Sequence, residues 1–329
     1  MKSKLKLEEI NDLVLLTGTS NQKLAQKIGK ILNKTRSKPM PVYCPVSHFG
    51  DGEIDIFIPE NLRRRRVFII QSTSPPAVND YIMELAFMAD AAKRASAAEV
   101  TAVIPYFGYG RQDRKDRARV FICSAVVANI LVKAGVDRIV TIDIHANQEQ
   151  GFVQQPWDNL FASYSLIPRL RREKIANLVV ASPDAGGVKR AKHYEECLKA
   201  KGIVIVLKDR DINQHDHSEV LTMVGEVTGK NVLIVDDIIS TAGSIAKARD
   251  LFRARGAKKI YAAATHGIFS EKALETINGF EKVFVTDTID HREEVLKHPK
   301  IQVVSIAPLL AEAIKRIHTG ESISRGLIR

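Results

Sequence analysis

Short apolar runs rich in β-branched residues alternate with amphipathic helical segments along the whole chain. This alternation predicts parallel sheets that carry helices on both faces. The chain has 329 residues, more than one hydrophobic core usually covers. Two doubly wound, mainly parallel-sheet α/β domains are therefore predicted, over 12–160 and 161–316, with a tail at 317–329 that packs back on the first domain. The strongest strand candidates are DLVLLTG, PVYCPV, VFIIQS, VTAVIPYF and RIVTIDI in the first domain, and NLVVASP, IVIVL, NVLIVDD, KIYAAATHG and KVFVTDT in the second.

Local signals place some boundaries of these elements. Asn79 is predicted to cap a helix that ends near Arg94, because its side chain can accept a hydrogen bond from the first helical turn. A second helix is predicted to begin near Ser244 and to stop at Gly256, which acts as a left-handed C-terminal cap. The segment GFVQQPWDNLFA around Pro156 is interpreted as the crossover between the domains.

The net charge of +11 and the pI near 9.5 predict an anionic partner. Charge alone does not distinguish nucleic acid from a small phosphorylated substrate. The densest basic run, Arg63–Arg66, precedes a predicted strand, and a solvated loop or a subunit contact is favoured there over polyanion binding. Aromatic residues make up only 6% of the chain, and no nucleic-acid-recognition motif is found, so a nucleic-acid partner is not expected.

Cysteine usage and the absence of long apolar runs bear on the compartment. Cys44, Cys123 and Cys197 lie far apart without CxxC spacing, which argues against a disulfide framework or a zinc site. The amino terminus has Glu8 and Glu9 where a signal peptide needs an apolar run, and no segment approaches the roughly 18 consecutive apolar residues of a membrane helix. A cytoplasmic protein with no membrane partner is predicted.

The segment NVLIVDDIISTAGS, residues 231–244, carries the strongest chemical signal. Its apolar half predicts a buried parallel strand, and Asp236 and Asp237 follow at the carboxyl end, where ligands collect in open parallel sheets. Acceptors at that position can bind sugar hydroxyls or face a magnesium shell. Small and hydroxyl residues then predict a phosphate cradle at the N-terminus of the next helix. They are Ser240, Thr241, Ala242, Gly243 and Ser244.

This segment resembles the ribose-phosphate loop shared by phosphoribosyltransferases and ribose-phosphate pyrophosphokinases, which are also called phosphoribosyl pyrophosphate synthetases. Further segments resemble the synthetase family, in that family's order: FGDGEI, QSTSPPAVNDYIMEL, YFGYGRQDRKDR, DIHANQEQGF, SPDAGGVKRA and THGIFS. The resemblance spans nearly everything from Leu13 to Ser324. It implies domains of the phosphoribosyltransferase-like type, an N-terminal ATP-side domain followed by a ribose 5-phosphate domain.

The resemblance implies an enzyme, a ribose-phosphate diphosphokinase. It would transfer the β,γ-diphosphoryl group of MgATP to the C1 hydroxyl of ribose 5-phosphate, giving phosphoribosyl pyrophosphate and AMP for nucleotide biosynthesis. Lys208 and Arg210 would clamp the transferring group from a mobile loop, and Arg210 would also contact ribose 5-phosphate with Asp236, Asp237 and residues 240–244. The implied ATP-binding residues are Phe49, Asp51, Glu53, Arg111, Gln112, Asp113 and Asp116. The polar edges of the two sheets are expected to face one shared cleft.

The resemblance also implies a cofactor, regulators and an assembly. The cofactor would be Mg²⁺, with His145 and Asp184 as ligands and Asp143 in or near the shell. Phosphate and ADP would regulate the enzyme at an inter-subunit site, and a homo-oligomer is expected because relatives form a dimer-based hexamer. The implied regulatory residues are Asn147, Gln150, Asp158, Asn159, Ser322 and Ser324. The chain departs from many members by having serine at positions 240 and 244, where they have Asp and Thr.

Three other interpretations stay open. A phosphoribosyltransferase would share the ribose-phosphate loop but needs no ATP site, so the ATP-side segments argue against it. A non-catalytic regulatory paralogue would bind and tune the enzyme, although such proteins tend to lose the functional residues retained here. A nucleic-acid-binding protein would account for the net charge, and salt-dependent binding to random oligonucleotides would identify it.

Overall fold

The computed structural model describes residues 12–33, 41–210, 219–270, 272–324 and 327, and the side chains of 208–210 and 219–220 lie outside that description. Contacts divide the chain into two compact units. The first unit comprises the residues up to Ala162, together with Thr288–Asp290 and the end of the chain from Ser305. The second unit comprises Ser163–Asp287 and His291–Val304. The predicted fold class, two mainly parallel-sheet α/β bodies, is confirmed.

A parallel sheet with the strand order β2-β1-β5-β6-β7-β8 lies at the centre of the first unit, and β3 and β4 form a separate antiparallel hairpin. Every residue of β1 is buried, as expected for a parallel strand covered on both faces. The strands are β1 (Leu13–Thr17), β2 (Val42–Tyr43), β3 (Val46–His48), β4 (Ile54–Ile56), β5 (Arg66–Ile70), β6 (Glu99–Ile104), β7 (Arg138–Ile142) and β8 (Trp157–Leu160).

The helices of the first unit that follow these strands are α1 (Gln22–Leu32), α2 (Val78–Arg94) and α3 (Cys123–Lys133). The side chain of Asn21 caps α1 by accepting a hydrogen bond from the Leu24 amide at 3.3 Å. The apolar faces of α2 and α3 join the sheet in one core, in which Leu85 and Ala89 of α2 pack with Ile69 and Ile104 of the strands.

The second unit is built around a sheet with the strand order β11-β10-β9-β12-β13-β14-β15. All of its pairings are parallel except that of β10 with β11, which is antiparallel. The strands are β9 (Leu178–Ser182), β10 (Ile203–Arg210), β11 (Glu219–Val224), β12 (Asn231–Ile239), β13 (Ile260–Gly267), β14 (Val283–Thr286) and β15 (Ile301–Val304). The central strand β12 is buried from Val232 to Val235 and becomes polar at Asp236.

The helices of the second unit are α4 (Ser163–Arg172), α5 (Val188–Leu198), α6 (Gly243–Ala254), α7 (Ala273–Ile277) and α8 (Glu293–Leu296). Phe252 of α6 and Phe280 are fully buried against the sheet. Helix α6 is followed by Gly256 with φ +79°, so the predicted start near Ser244 and the predicted stop at Gly256 are confirmed.

The last helix, α9 (Ala307–Thr319), belongs to the first unit and packs against α1. Arg66 Nη1 donates to the His318 carbonyl at 2.6 Å, and the His318 side chain is buried. The chain therefore rejoins the first unit at Ser305, whereas the sequence placed the returning tail at 317 and left the helix with the second domain. Leu310 and Ile314 of α9 are fully buried, and the contacts of α9 with α1 place the helix in the first unit.

Some local predictions are wrong. The segment interpreted as a crossover contains strand β8, which pairs with β7 at the edge of the first sheet. PVYCPV is not one strand, because β2 ends at Tyr43 and β3 starts a hairpin at Val46. Asn79 is not an N-cap, since α2 already runs through it from Val78, and its Oδ1 instead accepts a hydrogen bond from the Tyr109 hydroxyl at 2.6 Å.

No helix in the described part of the chain combines the length and the apolar character needed to cross a lipid bilayer.

Candidate active site

In the second unit, two carboxylates and an arginine meet near the carboxyl end of strand β12, which continues to Ile239. Arg190 of α5 places Nη1 at 3.2 Å from Asp236 Oδ1 and at 3.5 Å from Asp237 Oδ1. Burial raises the pKa of Asp236 well above its usual range, the neighbouring Asp237 raises it further, and Arg190 opposes the rise. A further cation or a hydroxyl donor placed against these carboxyl groups would favour their charged forms.

The predicted phosphate cradle directly follows these carboxylates. Ala242 has φ +64°, a left-handed conformation that costs a non-glycine residue about 1–2 kcal/mol and that occurs preferentially at functional sites. It brings the chain into α6, whose first N–H groups have no partner within the helix and favour an anion. The Thr241 and Ser244 side chains are exposed, while the Ser240 hydroxyl lies 3.1 Å from the Ser270 hydroxyl.

Asp184 lies in the loop after β9, and β9 is a direct neighbour of β12 in the sheet. Its Oδ1 accepts the Gly187 amide at 3.0 Å, and its carbonyl accepts the Ser182 hydroxyl at 2.6 Å. A side chain at position 187 would displace the Ser182 hydroxyl, because a Cβ there would lie 2.5 Å from Ser182 Oγ. Asp184 and Asp236 therefore project from adjacent strand ends at the same edge of the sheet.

Lys208 and Arg210 lie at the end of β10, paired with Leu221 and Glu219 of β11. The strand register supports the prediction that the two residues fall on the same side of an extended segment. Their side chains, and residues 211–218 of the predicted mobile loop, lie outside the described residues. The predicted clamp on the transferring group thus stays a prediction.

In the first unit, the Arg111 segment follows strand β6 as a compact turn. The Gln112 amide donates to the Tyr109 carbonyl at 2.9 Å, and the Gln112 carbonyl accepts the Ser124 hydroxyl at 3.2 Å. Arg111 and Asp116 are exposed and Asp113 is half-buried. The turn is therefore anchored at the start of α3, and it leaves the Arg111 guanidinium accessible to an anionic ligand.

The predicted metal ligand His145 lies on the segment after β7, the next strand of the same sheet. Gln148 Nε2 donates to Asp113 Oδ2 at 2.9 Å, which joins this segment to the Arg111 turn. Asp143 has φ +41°, and its Oδ2 accepts the Ala162 amide at 2.9 Å. Because this carboxylate already accepts a backbone hydrogen bond, Asp143 fits a supporting role better than direct coordination of a metal ion.

Glu149, on the same segment, is a buried acid that the sequence interpretation missed. Burial raises its pKa to about 7. The Ala146 amide lowers the pKa by hydrogen bonding, Asp113 raises it, and His145 lowers it. The charged groups that shift this pKa thus lie on the Arg111 turn, through Asp113, and on the segment that carries His145.

The predicted adenine-binding residues form the tip of the β3–β4 hairpin. The Phe49 amide donates to the Glu53 carbonyl at 2.8 Å, the Glu53 amide donates to Asp51 Oδ1 at 3.2 Å, and Gly52 has φ +94°. Phe49 is 57% exposed, which excludes the alternative of ordinary core packing for this ring. Within the described residues, the hydrogen bonds of this tip stay inside the hairpin, so no bond joins it to the Arg111 turn.

Most of the predicted regulatory residues have internal partners. Asn159 accepts hydrogen bonds from the Ile144 amide and from Thr141, and it donates to Asn147 Oδ1 at 3.2 Å. Asp158 pairs with Arg138. Gln150 donates to the Asn147 carbonyl at 3.0 Å, and the hydroxyls of Ser322 and Ser324 lie 3.0 Å apart. These contacts give Asn159 a structural function in holding the His145 segment, whereas its regulatory role stays a prediction.

Comparison with known proteins identifies the family. Residues 13–135 match the N-terminal domain of ribose phosphate pyrophosphokinase, and residues 211–329 match the phosphoribosyl synthetase-associated domain. The ribose-phosphate pyrophosphokinase of Chlorobaculum tepidum is 48% identical over 313 residues, covering 94% of this chain and 93% of that protein. The chain belongs to the ribose-phosphate pyrophosphokinase family.

Other members agree with this assignment. Ribose-phosphate pyrophosphokinase A of Dictyostelium discoideum is 43% identical over 94% of this chain and 96% of that protein. The crystal structure of phosphoribosylpyrophosphate synthetase from Mycobacterium smegmatis superposes with a TM-score of 0.86 at 35% identity, covering 94% of this chain and 100% of that one. The resemblance drawn from the sequence motifs is confirmed, and the chain is an enzyme of a diphosphotransferase family.

Two side chains of this pyrophosphokinase were not predicted to be functional. Arg190 lies inside SPDAGGVKRA, and Glu149 lies inside DIHANQEQGF. Both segments carried the family resemblance, but nothing in the sequence indicated that Glu149 would be buried. For Arg190 a usable signal existed, since a basic residue on the first turn of the helix after β9 lies at the carboxyl edge of the sheet.

Proposed function

We propose that this pyrophosphokinase transfers the β,γ-diphosphoryl group of MgATP to the C1 hydroxyl of ribose 5-phosphate, forming phosphoribosyl pyrophosphate and AMP. The observation that carries the proposal is the group of Asp236, Asp237 and Arg190 directly before the strained turn at Ala242. It combines hydroxyl acceptors and a phosphate cradle within a few residues of one strand end, as a phosphorylated pentose requires.

In the second unit, the Asp236 and Asp237 carboxylates accept hydrogen bonds from the ribose hydroxyls. The 5-phosphate binds residues 240–244, where helix α6 supplies N–H groups and Thr241 and Ser244 supply hydroxyls. Ser240 in place of Asp removes a negative charge from this cradle, and its hydrogen bond to Ser270 keeps the loop in position.

In the first unit, the Arg111 guanidinium and the Gln112 amide bind the triphosphate of ATP. Arginine suits this function because its planar donors match phosphate oxygens in pairs. Phe49 provides an adenine platform, while Asp51 and Glu53 accept hydrogen bonds from the base or the ribose. The exposure of Phe49 supports this assignment, since an unpacked ring is available for stacking.

Mg²⁺ fits the residues present. Within the part of the chain that the structure describes, no three His, Cys, Asp or Glu side chains form a ready-made metal cage. Mg²⁺ is usually held by one or two protein ligands together with substrate phosphates and water. His145 in the first unit and Asp184 in the second unit are each proposed as a ligand of the ion, and Asp143, which accepts the Ala162 amide, has a supporting role. When bound, the ion neutralises the phosphate charge that develops during transfer.

Lys208 and Arg210 stabilise the transferring diphosphoryl group. Diphosphoryl transfer needs positioning and cations more than a covalent nucleophile, and a Lys-x-Arg pair on one side of an extended segment supplies them. Closure of the loop after Arg210 excludes water and so limits ATP hydrolysis. Phosphate and ADP act as regulators of a homo-oligomer in this proposal.

The decisive experiment follows the label from ATP. Purified protein is incubated with Mg²⁺, ribose 5-phosphate and ATP labelled at either the α or the β phosphate. We expect the α label in AMP and the β label in phosphoribosyl pyrophosphate, in equal amounts, and loss of both with Asp236→Asn. ADP formation would indicate single phosphoryl transfer instead. AMP without the sugar product, or no reaction at all, would favour the non-catalytic paralogue.

A further inference from the structure

Glu149 is a carboxylic acid enclosed within the ATP side of the first unit. It lies in the 3-10 turn Asn147–Gly151 and is 0% exposed. Its Oε1 accepts the Ala146 amide at 3.0 Å. Its Oε2 is buried and has no hydrogen-bond partner among the described residues. An apolar side chain would fill this space at a lower desolvation cost, so packing alone does not account for a carboxyl group here.

The carboxyl group lies against the turn that carries Arg111. A Cβ added to Gly110 would lie 3.5 Å from Glu149 Oε2 and 3.7 Å from Oε1, so the carboxyl group faces Gly110 and occupies the space next to the position of a side chain there. The preceding residue, Gln148, donates to Asp113 Oδ2 at 2.9 Å. Two consecutive side chains of the 3-10 turn therefore reach the same segment, one above Gly110 and one at Asp113.

We propose that Glu149 is a positioning residue for nucleotide binding, which fixes the His145 segment through the Ala146 amide and seats it on Gly110. This role rests on the proposed function, and in it Glu149 touches neither ATP nor the reacting atoms. The Ala146 amide lies one residue after His145, and Gly110 lies one residue before Arg111. A shift of the acid thus changes the relative placement of both proposed ligand-binding side chains.

The hydrogen bond to Ala146 separates this function from space filling. Gln keeps a carbonyl oxygen for the Ala146 amide and has nearly the same shape as Glu. Leu has a similar volume but leaves the amide without its acceptor, which costs about as much as an unmade buried hydrogen bond. Comparison of the two variants therefore separates the contribution of the hydrogen-bond acceptor from that of the side-chain volume.

Calorimetric titration with MgATP and steady-state kinetics test the proposal on wild type, Glu149→Gln and Glu149→Leu. For Glu149→Leu we expect the MgATP dissociation constant and the KM for ATP to rise about tenfold, or about 1.4 kcal/mol. The KM for ribose 5-phosphate should stay within about twofold, because the residues proposed to bind it lie in the second unit. Glu149→Gln should restore nucleotide binding to near the wild-type value.

An unchanged dissociation constant in Glu149→Leu, an equal rise in both KM values, or failure of Gln to restore binding would each overturn the proposal. If Glu149→Leu does not fold, the exposed Gln148→Ala breaks the link to Asp113, and unchanged MgATP binding there has the same consequence. Failure of the proposed function is distinguishable, since wild type would then bind MgATP without forming AMP. If the wild-type protein binds no MgATP, both the proposed function and the proposed role of Glu149 are wrong.

Discussion

Replacing Glu149 with Gln is expected to change how stability depends on pH. Burial raises the pKa of Glu149 from 4.5 to about 7, so the folded protein keeps its proton where the unfolded chain has already lost it. A pKa difference of one unit is worth about 1.36 kcal/mol. The raised pKa therefore contributes about 3 kcal/mol of stability below pH 4.5, which is lost as the pH rises through about 7.

Gln at this position does not ionise, so the variant escapes that loss. The free energy of unfolding of Glu149→Gln, relative to wild type, should increase by about 3 kcal/mol between about pH 4.5 and about pH 8. For a unit of this size, about 2–4 °C in melting temperature corresponds to 1 kcal/mol. The difference in melting temperature should therefore move by about 6–12 °C in favour of the variant.

Scanning calorimetry at several pH values, with protein concentration and ionic strength held constant, measures this difference. Gln150→Ala is the matched control, because it alters the same turn without removing an acid, and its difference from wild type should be flat with pH. A flat difference for Glu149→Gln would mean that the acid is hydrated or paired with a cation when the protein is folded. A change in the opposite direction would contradict the burial argument altogether.

Three further predictions follow from the second unit. Arg190→Met should raise the KM for ribose 5-phosphate by about tenfold in steady-state assays, because Asp236 and Asp237 lose their charge-assisted contact with the guanidinium. Arg190→Lys should recover only part of this loss, because lysine offers a single point charge. Lys208→Ala should cost about 3–4 kcal/mol of transition-state stabilisation, seen as a fall in kcat of about 10²–10³; an unchanged turnover would exclude its assigned role. Phe252→Ala, at a side chain with 0% exposure, should lower the free energy of unfolding in urea by about 3–5 kcal/mol.

The sequence predicted the central strands well because their burial on both faces produces continuous apolar runs. β1, β9 and the first half of β12 are buried almost throughout and stand out in the sequence for that reason. The edge strands lack this signal. Asp158 and Asn159 interrupt β8, and every residue of β15 is half-buried, so these segments were interpreted as a connection or passed over. The short strands of the hairpin around Phe49 were missed for the same reason.

One helix cap was predicted correctly and another was not, because other groups can compete for the side chain that would form a cap. The Gly256 cap was found from sequence, since a glycine directly after a helical run readily adopts the left-handed conformation that ends a helix. Asn79 has the right chemistry for an N-cap, but the Tyr109 hydroxyl takes its oxygen instead. The competing partner lies 30 residues away in the chain, beyond the reach of a local pattern.

The same separation limits what sequence reveals about the candidate site. Positions at strand ends were predictable, because the carboxyl edge of a parallel sheet gathers the loops that bind ligands. The side-chain contacts across that edge were not predictable. Arg190 contacts Asp236, which lies 46 residues away in the chain, and Gln148 contacts Asp113, which lies 35 residues away. These long-range contacts set charge and placement, since Arg190 opposes the rise that burial and Asp237 cause in the pKa of Asp236. A family motif therefore predicts which residues face a ligand, whereas the contacts across the sheet edge determine the charge and placement of each.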